Sequence, residues 1–156
     1  MRTTILVAAI ATTLTIGATA SGYSGPPMPA KATTASAKAT TLKVRKGRFG
    51  RYLTDGRGLT LYLFTRDKGK PKSTCYGDCE KAWPVLAGAK PKAGKGVNAR
   101  YIGTTKRKDG RTQATYRGHP LYYYEHEDQA GEILCQDVPE FGGTWLIVAP
   151  SGKAIR

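Results

Sequence analysis

Apolar and polar positions alternate along this chain in short stretches closed off by glycine, which is the pattern of strands and not of helices. Strands are predicted at Thr41–Arg45, Tyr52–Asp55 and Leu59–Phe64, then at Arg111–Tyr116, Leu121–Tyr124 and Thr144–Ala149. Asp55-Gly56-Arg57-Gly58 and Arg117-Gly118-His119-Pro120 read as turns, because glycine accepts the positive φ that tight turns require. Asp109-Gly110 and Ser151-Gly152 mark two more. One short stretch predicts helix: Asp78 as N-cap, then Cys79–Trp83, ended by Pro84. Lys68–Thr74 and Ala87–Val97 are rich in Lys, Gly and Pro and predict loops.

The pattern also repeats at an offset of 60. Gly58-Leu59-Thr60-Leu61-Tyr62-Leu63-Phe64-Thr65-Arg66-Asp67 returns as Gly118-His119-Pro120-Leu121-Tyr122-Tyr123-Tyr124-Glu125-His126-Glu127. The same ungapped register pairs Gly50 with Gly110, Arg57 with Arg117 and Cys75 with Cys135. Such self-similarity marks a duplicated unit, with repeats at about 50–86 and 110–149. The fold class expected is mainly β: a single compact domain of two tandem β-meander repeats, packed as a sandwich or small barrel, with one short helix.

Domain boundaries follow from composition. Residues 1–20 read as a secretory signal, with Arg2, an apolar run from Ile5 to Ile16, and Ala18-Thr19-Ala20 as cleavage site. The run is too short and too threonine-rich for a membrane span of about 20 residues, and no Cys follows it for lipid attachment, so a secreted or envelope-associated product without a lipid anchor is expected. Residues 21–41 are a Pro/Ala/Ser/Thr/Lys linker, and 42–156 are the domain. The formal charge of +14 is uneven: residues 21–108 hold 20 Lys/Arg against four acids, and 109–156 hold four against seven. An exported polycation meets anionic wall polymer or a membrane surface, whereas no motif here reads nucleic-acid sequence. Loop lysines such as Lys68, Lys70, Lys72, Lys90, Lys92 and Lys95 also serve solubility alone.

Candidate chemistry centres on the duplicated aromatic and acidic positions Tyr62, Phe64 and Asp67, with Tyr122, Tyr124 and Glu127, and Asp128 beside the last. In a strand, Tyr62 and Phe64 share one face and Leu61 and Leu63 the other. The aromatics are then packing residues whose strand-end acid accepts local hydrogen bonds, or else the two copies face one pocket and bind a ligand. A weak metal site could use His126, Glu127 and Asp128; no other cofactor is predicted. Cys75 and Cys79, four apart, can bridge if the segment curls. Cys135 is then free, or it pairs with Cys75 or Cys79 and staples the repeats. The C-x3-C spacing lacks the C-x2-C of zinc and thiol-redox modules. No nucleophile, base and acid constellation is present, so no catalytic residue is assigned.

Several motifs in order resemble a bacterial secreted repeat family of unknown function, whose members are described as predicted lipoproteins with a Tyr-x4-Asp motif. They are Gly58-x-Thr60-Leu61-Tyr62-x-Phe64-x-x-Asp67, Cys75-x-Gly77-x-Cys79 leading to Trp83-Pro84, Arg107-x-Asp109-Gly110, Gly118-x-Pro120-Leu121-Tyr122, Gly142-Gly143-Thr144-Trp145 and Ser151-Gly152. The resemblance implies export, a tandem repeat and an unestablished activity. It departs at Glu127, where the pattern has Asp unless it slips to Tyr123 and Asp128, and in the missing lipidated Cys. Expected is a noncatalytic domain binding at the cell envelope through a basic surface; the alternative is a metal or redox module of the Tyr/acid repeats, His126 and the cysteines.

Overall fold

The computed structural model describes residues 40–67 and 72–156. The export segment, the linker up to residue 39, and Lys68 and Lys70 lie outside the described residues. The strands are β1 (Thr41–Gly47), β2 (Gly50–Thr54), β3 (Tyr62–Phe64), β4 (Lys92–Ala93), β5 (Ile102–Lys106), β6 (Thr112–Tyr116), β7 (His119–Pro120), β8 (Val138–Glu140) and β9 (Gly143–Ile147). One short helix, α1 (Asp78–Ala82), and a 3-10 turn at Ala99–Tyr101 complete the elements. Three small sheets result, ordered β2-β1-β4, β3-β9-β8 and β5-β6-β7. The compact, mainly β domain of two repeats is as predicted, but no sheet closes into a barrel.

The two repeats complete each other. β1 and β2 form an antiparallel hairpin with Val44 opposite Leu53, and β5 and β6 form its equivalent, with Thr104 opposite Ala114. The Leu53 amide then donates across to the Val148 carbonyl at 2.8 Å, and the Ala114 amide to the Leu86 carbonyl at 2.8 Å. In return the Val148 amide donates to Leu61 at 3.3 Å and the Leu86 amide to Leu121 at 3.0 Å. The segments Trp83–Leu86 and Trp145–Val148 have therefore changed places. At the centre Tyr62 and Tyr122 form an antiparallel bridge, each amide donating to the other's carbonyl at 2.9 and 3.0 Å. Buried backbone groups need partners, and neither repeat alone supplies them.

Side-chain alternation divides the interior in two. Tyr62 and Phe64 join Trp83, Tyr122, Trp145 and Ile147 in an aromatic cluster; Leu61 and Leu63 join Leu53, Leu86, Leu121, Leu146 and Val148 in an aliphatic one. β3 and β9 lie between the clusters, which is why both of their faces are apolar. The turns at Gly58 and Gly118 match, with φ of 96° and 82°.

Four local expectations change. Leu121–Tyr124 is not a strand beyond the bridge at Tyr122, because the Tyr123 amide is committed to the Pro84 carbonyl at 2.8 Å and the Glu125 amide to Ala82 at 3.0 Å. β5 escapes prediction because Ile102 is its one large apolar residue and Gly103 interrupts it. β8 contains Pro139, which strands accept at a sheet edge, where β8 lies. Gly77, at φ 62°, is the N-cap of α1 without a side-chain cap; Asp78 is its first residue and pairs with Lys81 at 2.8 Å.

Candidate functional site

The duplicated tyrosines and acids meet, but crosswise. The Tyr122 hydroxyl, from the second repeat, donates to Asp67 Oδ2 of the first at 2.6 Å, and the Tyr62 hydroxyl donates to Glu127 Oε1 of the second. Asp67 Oδ1 accepts from the amide and the hydroxyl of Thr74, both at 2.7 Å. Glu127 Oε1 accepts from the amide of Leu134, the counterpart of Thr74, at 2.7 Å. Both tyrosines and both acids are buried. Burial first, then the facing carboxylate, pushes both tyrosine pKa values far up, so neither hydroxyl is a base or nucleophile at neutral pH. Between the two pairs Trp83 and Trp145 stack at 4.0 Å, with Phe64 on Trp145 at 4.1 Å and Tyr124 beside Trp83 at 4.9 Å. Asp128 is exposed and apart from the pairs.

The copies differ at one atom with a consequence for pH. Leu134 has no hydroxyl, and Glu127 Oε2 is buried without a hydrogen-bond partner among the described residues. Burial pushes the Glu127 carboxyl up, against the Tyr62 hydroxyl and the Leu134 amide. A raised folded pKa means that its stability contribution is complete below the ordinary value of 4.5 and is lost as pH rises through the folded value. Glu127→Gln removes this titration. Unfolding free energies of the two proteins should therefore diverge in the wild type's favour as pH is lowered from neutrality; a flat or opposite trend contradicts the assignment.

Arg107, which the sequence places in the Arg107-x-Asp109-Gly110 motif without a role, has a fully buried side chain. Nη1 donates to Ser73 Oγ at 2.6 Å and Gln113 Oε1 at 2.9 Å. Nη2 donates to the Cys75 carbonyl at 2.9 Å and Glu80 Oε2 at 2.6 Å, Nε reaches Asp109 at 3.3 Å, and the guanidinium lies 4.3 Å from the Tyr76 ring centre. Ser73 Oγ also lies 2.8 Å from the Tyr122 hydroxyl, whose one proton is on Asp67, so this hub joins the second hairpin to the first Tyr/acid pair.

Cys75 and Cys79 form a disulfide with Cα atoms 5.3 Å apart, and Cys135 is a half-buried free thiol. Burial pushes that thiol up, which disfavours the nucleophilic thiolate; bonded to it, the Tyr124 hydroxyl is pushed up to about 12. His119 is lowered by burial and borders a cleft of about 440 Å3 with Leu63, Phe64 and Asp67. His126 is exposed beside Glu125, while Glu127 turns inward. Among the described residues no three His, Cys, Asp or Glu are grouped to hold a metal, and no helix is long and apolar enough to cross a membrane.

What remains on the surface is a cationic sheet. Lys43, Arg45, Lys46 and Arg48 with Arg51, Lys92 and Lys95 are exposed on or beside β2-β1-β4. No acid occurs in these strands, and among the described residues none of the seven makes an ion pair. Lys46 stands directly opposite Arg51, a cross-strand repulsion. The equivalent hairpin neutralises part of its charge: Arg107 and Arg111 share Asp109 and Glu80, while Lys106 and Lys108 stay exposed. In the sequence this surface is the run Lys43-x-Arg45-Lys46-x-Arg48, apart from the lysines of the linker and loops.

The fold and its crossed motif define a β domain built from two exchanged repeats. The chain belongs to the family described as a secreted repeat of unknown function, whose model matches residues 43–87 and 103–149. The matched spans begin within β1 and β5, so each repeat includes nearly all of its hairpin. No curated protein and no solved structure matches the chain.

Proposed function

We infer that this domain is a noncatalytic module that binds an anionic component of the cell envelope through the β2-β1-β4 sheet. The observation that carries this is the contrast between two copies of one hairpin: the second pairs Arg107 and Arg111 with Asp109 and Glu80, whereas the first, among the described residues, leaves all five of its cations without an ion pair, with Lys92 and Lys95 beside them. Unpaired cations on one small sheet repel each other, and a polyanion relieves that repulsion while releasing counterions. The burial of the motif's tyrosines and acids against each other favours the sheet over the Tyr/acid motif as the binding surface.

The test is retention on phosphocellulose across a salt gradient. Lys46→Gln, Arg51→Gln and Lys95→Gln together should move elution to distinctly lower salt, with unfolding free energy within about 0.5 kcal/mol of wild type because the sites are exposed. Unchanged elution would sink the proposal.

A further inference from the structure

Position 47 is where the two hairpins differ most in volume. Its counterpart at the 60-residue offset is Arg107, whose side chain fills the space between Ser73, Gln113 and the Cys75 carbonyl. On the first hairpin Gly47 has no side chain and the Tyr52 ring packs over it, 3.1 Å from where a Cβ would stand, with Ile133 at the place of Ser73. The result is a cleft of about 420 Å3 lined by Gly47, Arg48, Tyr52, Gly131, Ile133 and Leu134. Tyr52 and Ile133 are buried and give it an aromatic and aliphatic floor. Its lip is Leu134, 57% exposed and the single exposed large hydrophobic side chain among the described residues. In the other repeat this position is Thr74, which is spent on Asp67.

Unpaired cations surround the cleft. Arg48 is held by a 2.9 Å bond from Nη2 to the Ile133 carbonyl and lies 4.7 Å from the Phe49 ring centre. Arg45 crosses Gly131, where an added Cβ would stand 2.6 Å from its Nε. Lys46 and Arg51 stand opposite each other and project from the other face of the hairpin, Arg51 toward Gly96, so Arg45 and Arg48 are the cations at the cleft. Such a surface is complementary to one that is anionic at its boundary and apolar beneath. A phosphate polymer matches the cations but gives Leu134 nothing to bury against; a lipid surface matches both.

We propose that this end of the domain docks on an anionic lipid surface, with Leu134 at the acyl boundary and Arg45 and Arg48 on the lipid phosphates. This rests on the envelope-binding reading above and adds the chemical class of the ligand. The experiment is sedimentation of the full chain with phosphatidylcholine vesicles, with and without phosphatidylglycerol, beside phosphocellulose retention. Wild type should bind only the phosphatidylglycerol vesicles, and Leu134→Ser should bind them roughly tenfold more weakly, the loss of one buried leucine, with unchanged phosphocellulose elution. In Leu134→Trp, binding should persist and emission should shift to the blue on these vesicles, but not on a soluble glycerol-phosphate polymer. Equal vesicle binding by wild type and Leu134→Ser, or the same blue shift on the polymer, overturns the lipid assignment. Failure of wild type to be retained on phosphocellulose instead overturns the envelope reading beneath it.

Discussion

Arg107→Ala is expected to destabilise the domain by about 3–5 kcal/mol, the cost of removing one partner from a buried ion pair. Its side chain is fully buried, while Glu80 and Asp109 keep 20% and 33% exposure. Those two acids can take water after the substitution; the Gln113 oxygen, buried with its residue, cannot. The Cys75 carbonyl loses its donor as well, and the loop that carries the disulfide loses its tie to β6. Arg107→Lys should recover only a minor part, because an ammonium is a point donor and cannot serve acceptors arrayed around a planar fork. Chemical denaturation of both variants measures this. A loss below about 1 kcal/mol for Arg107→Ala, the range of exposed ion pairs, would show that the hub is not structural.

Trp83→Ala comes next, at about 3–5 kcal/mol for a large aromatic cut from a packed core. Trp83 stacks on Trp145 at 4.0 Å with planes 1° apart, meets Tyr62 edge-on at 5.2 Å, and donates from Nε1 to Glu140 at 2.8 Å. Trp145 is equally buried, but its Nε1 has no partner. The phenylalanine variants separate packing from hydrogen bonding. Trp83→Phe forfeits a bond and leaves a Glu140 oxygen without its donor, whereas Trp145→Phe removes an unpaired buried donor. Trp145→Phe should therefore be the milder, by about 1 kcal/mol. Equal costs, or the reverse order, contradict the hydrogen-bond assignment.

The duplicated β frame was legible because alternation and glycine turns recur in an ungapped register. The exchange was hidden by a slip within it: Tyr62 and Tyr122 are 60 residues apart, but Trp83 and Trp145 are 62 apart, so a fixed offset never pairs the two tryptophans that stack. The Tyr-x-aromatic-x-x-acid motif looks local, as though each tyrosine served its own acid. The bonds instead cross, Tyr62 to Glu127 and Tyr122 to Asp67, because the backbone bridge at Tyr62 and Tyr122 places each hydroxyl beside the other repeat's acid. Arg107 was legible as part of the Arg107-x-Asp109-Gly110 motif but its buried role was not, since its partners come from positions 73, 75, 80, 109 and 113. The cysteines were half legible: spacing allowed the Cys75–Cys79 bridge, which forms, and left open the staple to Cys135, which does not.

The division of labour between a buried Tyr/acid frame and a binding hairpin is tested most directly by phosphocellulose elution of Tyr122→Phe beside the Lys46, Arg51 and Lys95 triple variant. Tyr122→Phe strands Asp67 Oδ2 and should lose about 1–3 kcal/mol of unfolding free energy, yet elute at the wild-type salt concentration. The triple variant should keep its stability and elute early. A folded Tyr122→Phe protein that elutes early, while the triple variant elutes with wild type, would contradict the division and return the duplicated motif to the position of binding site.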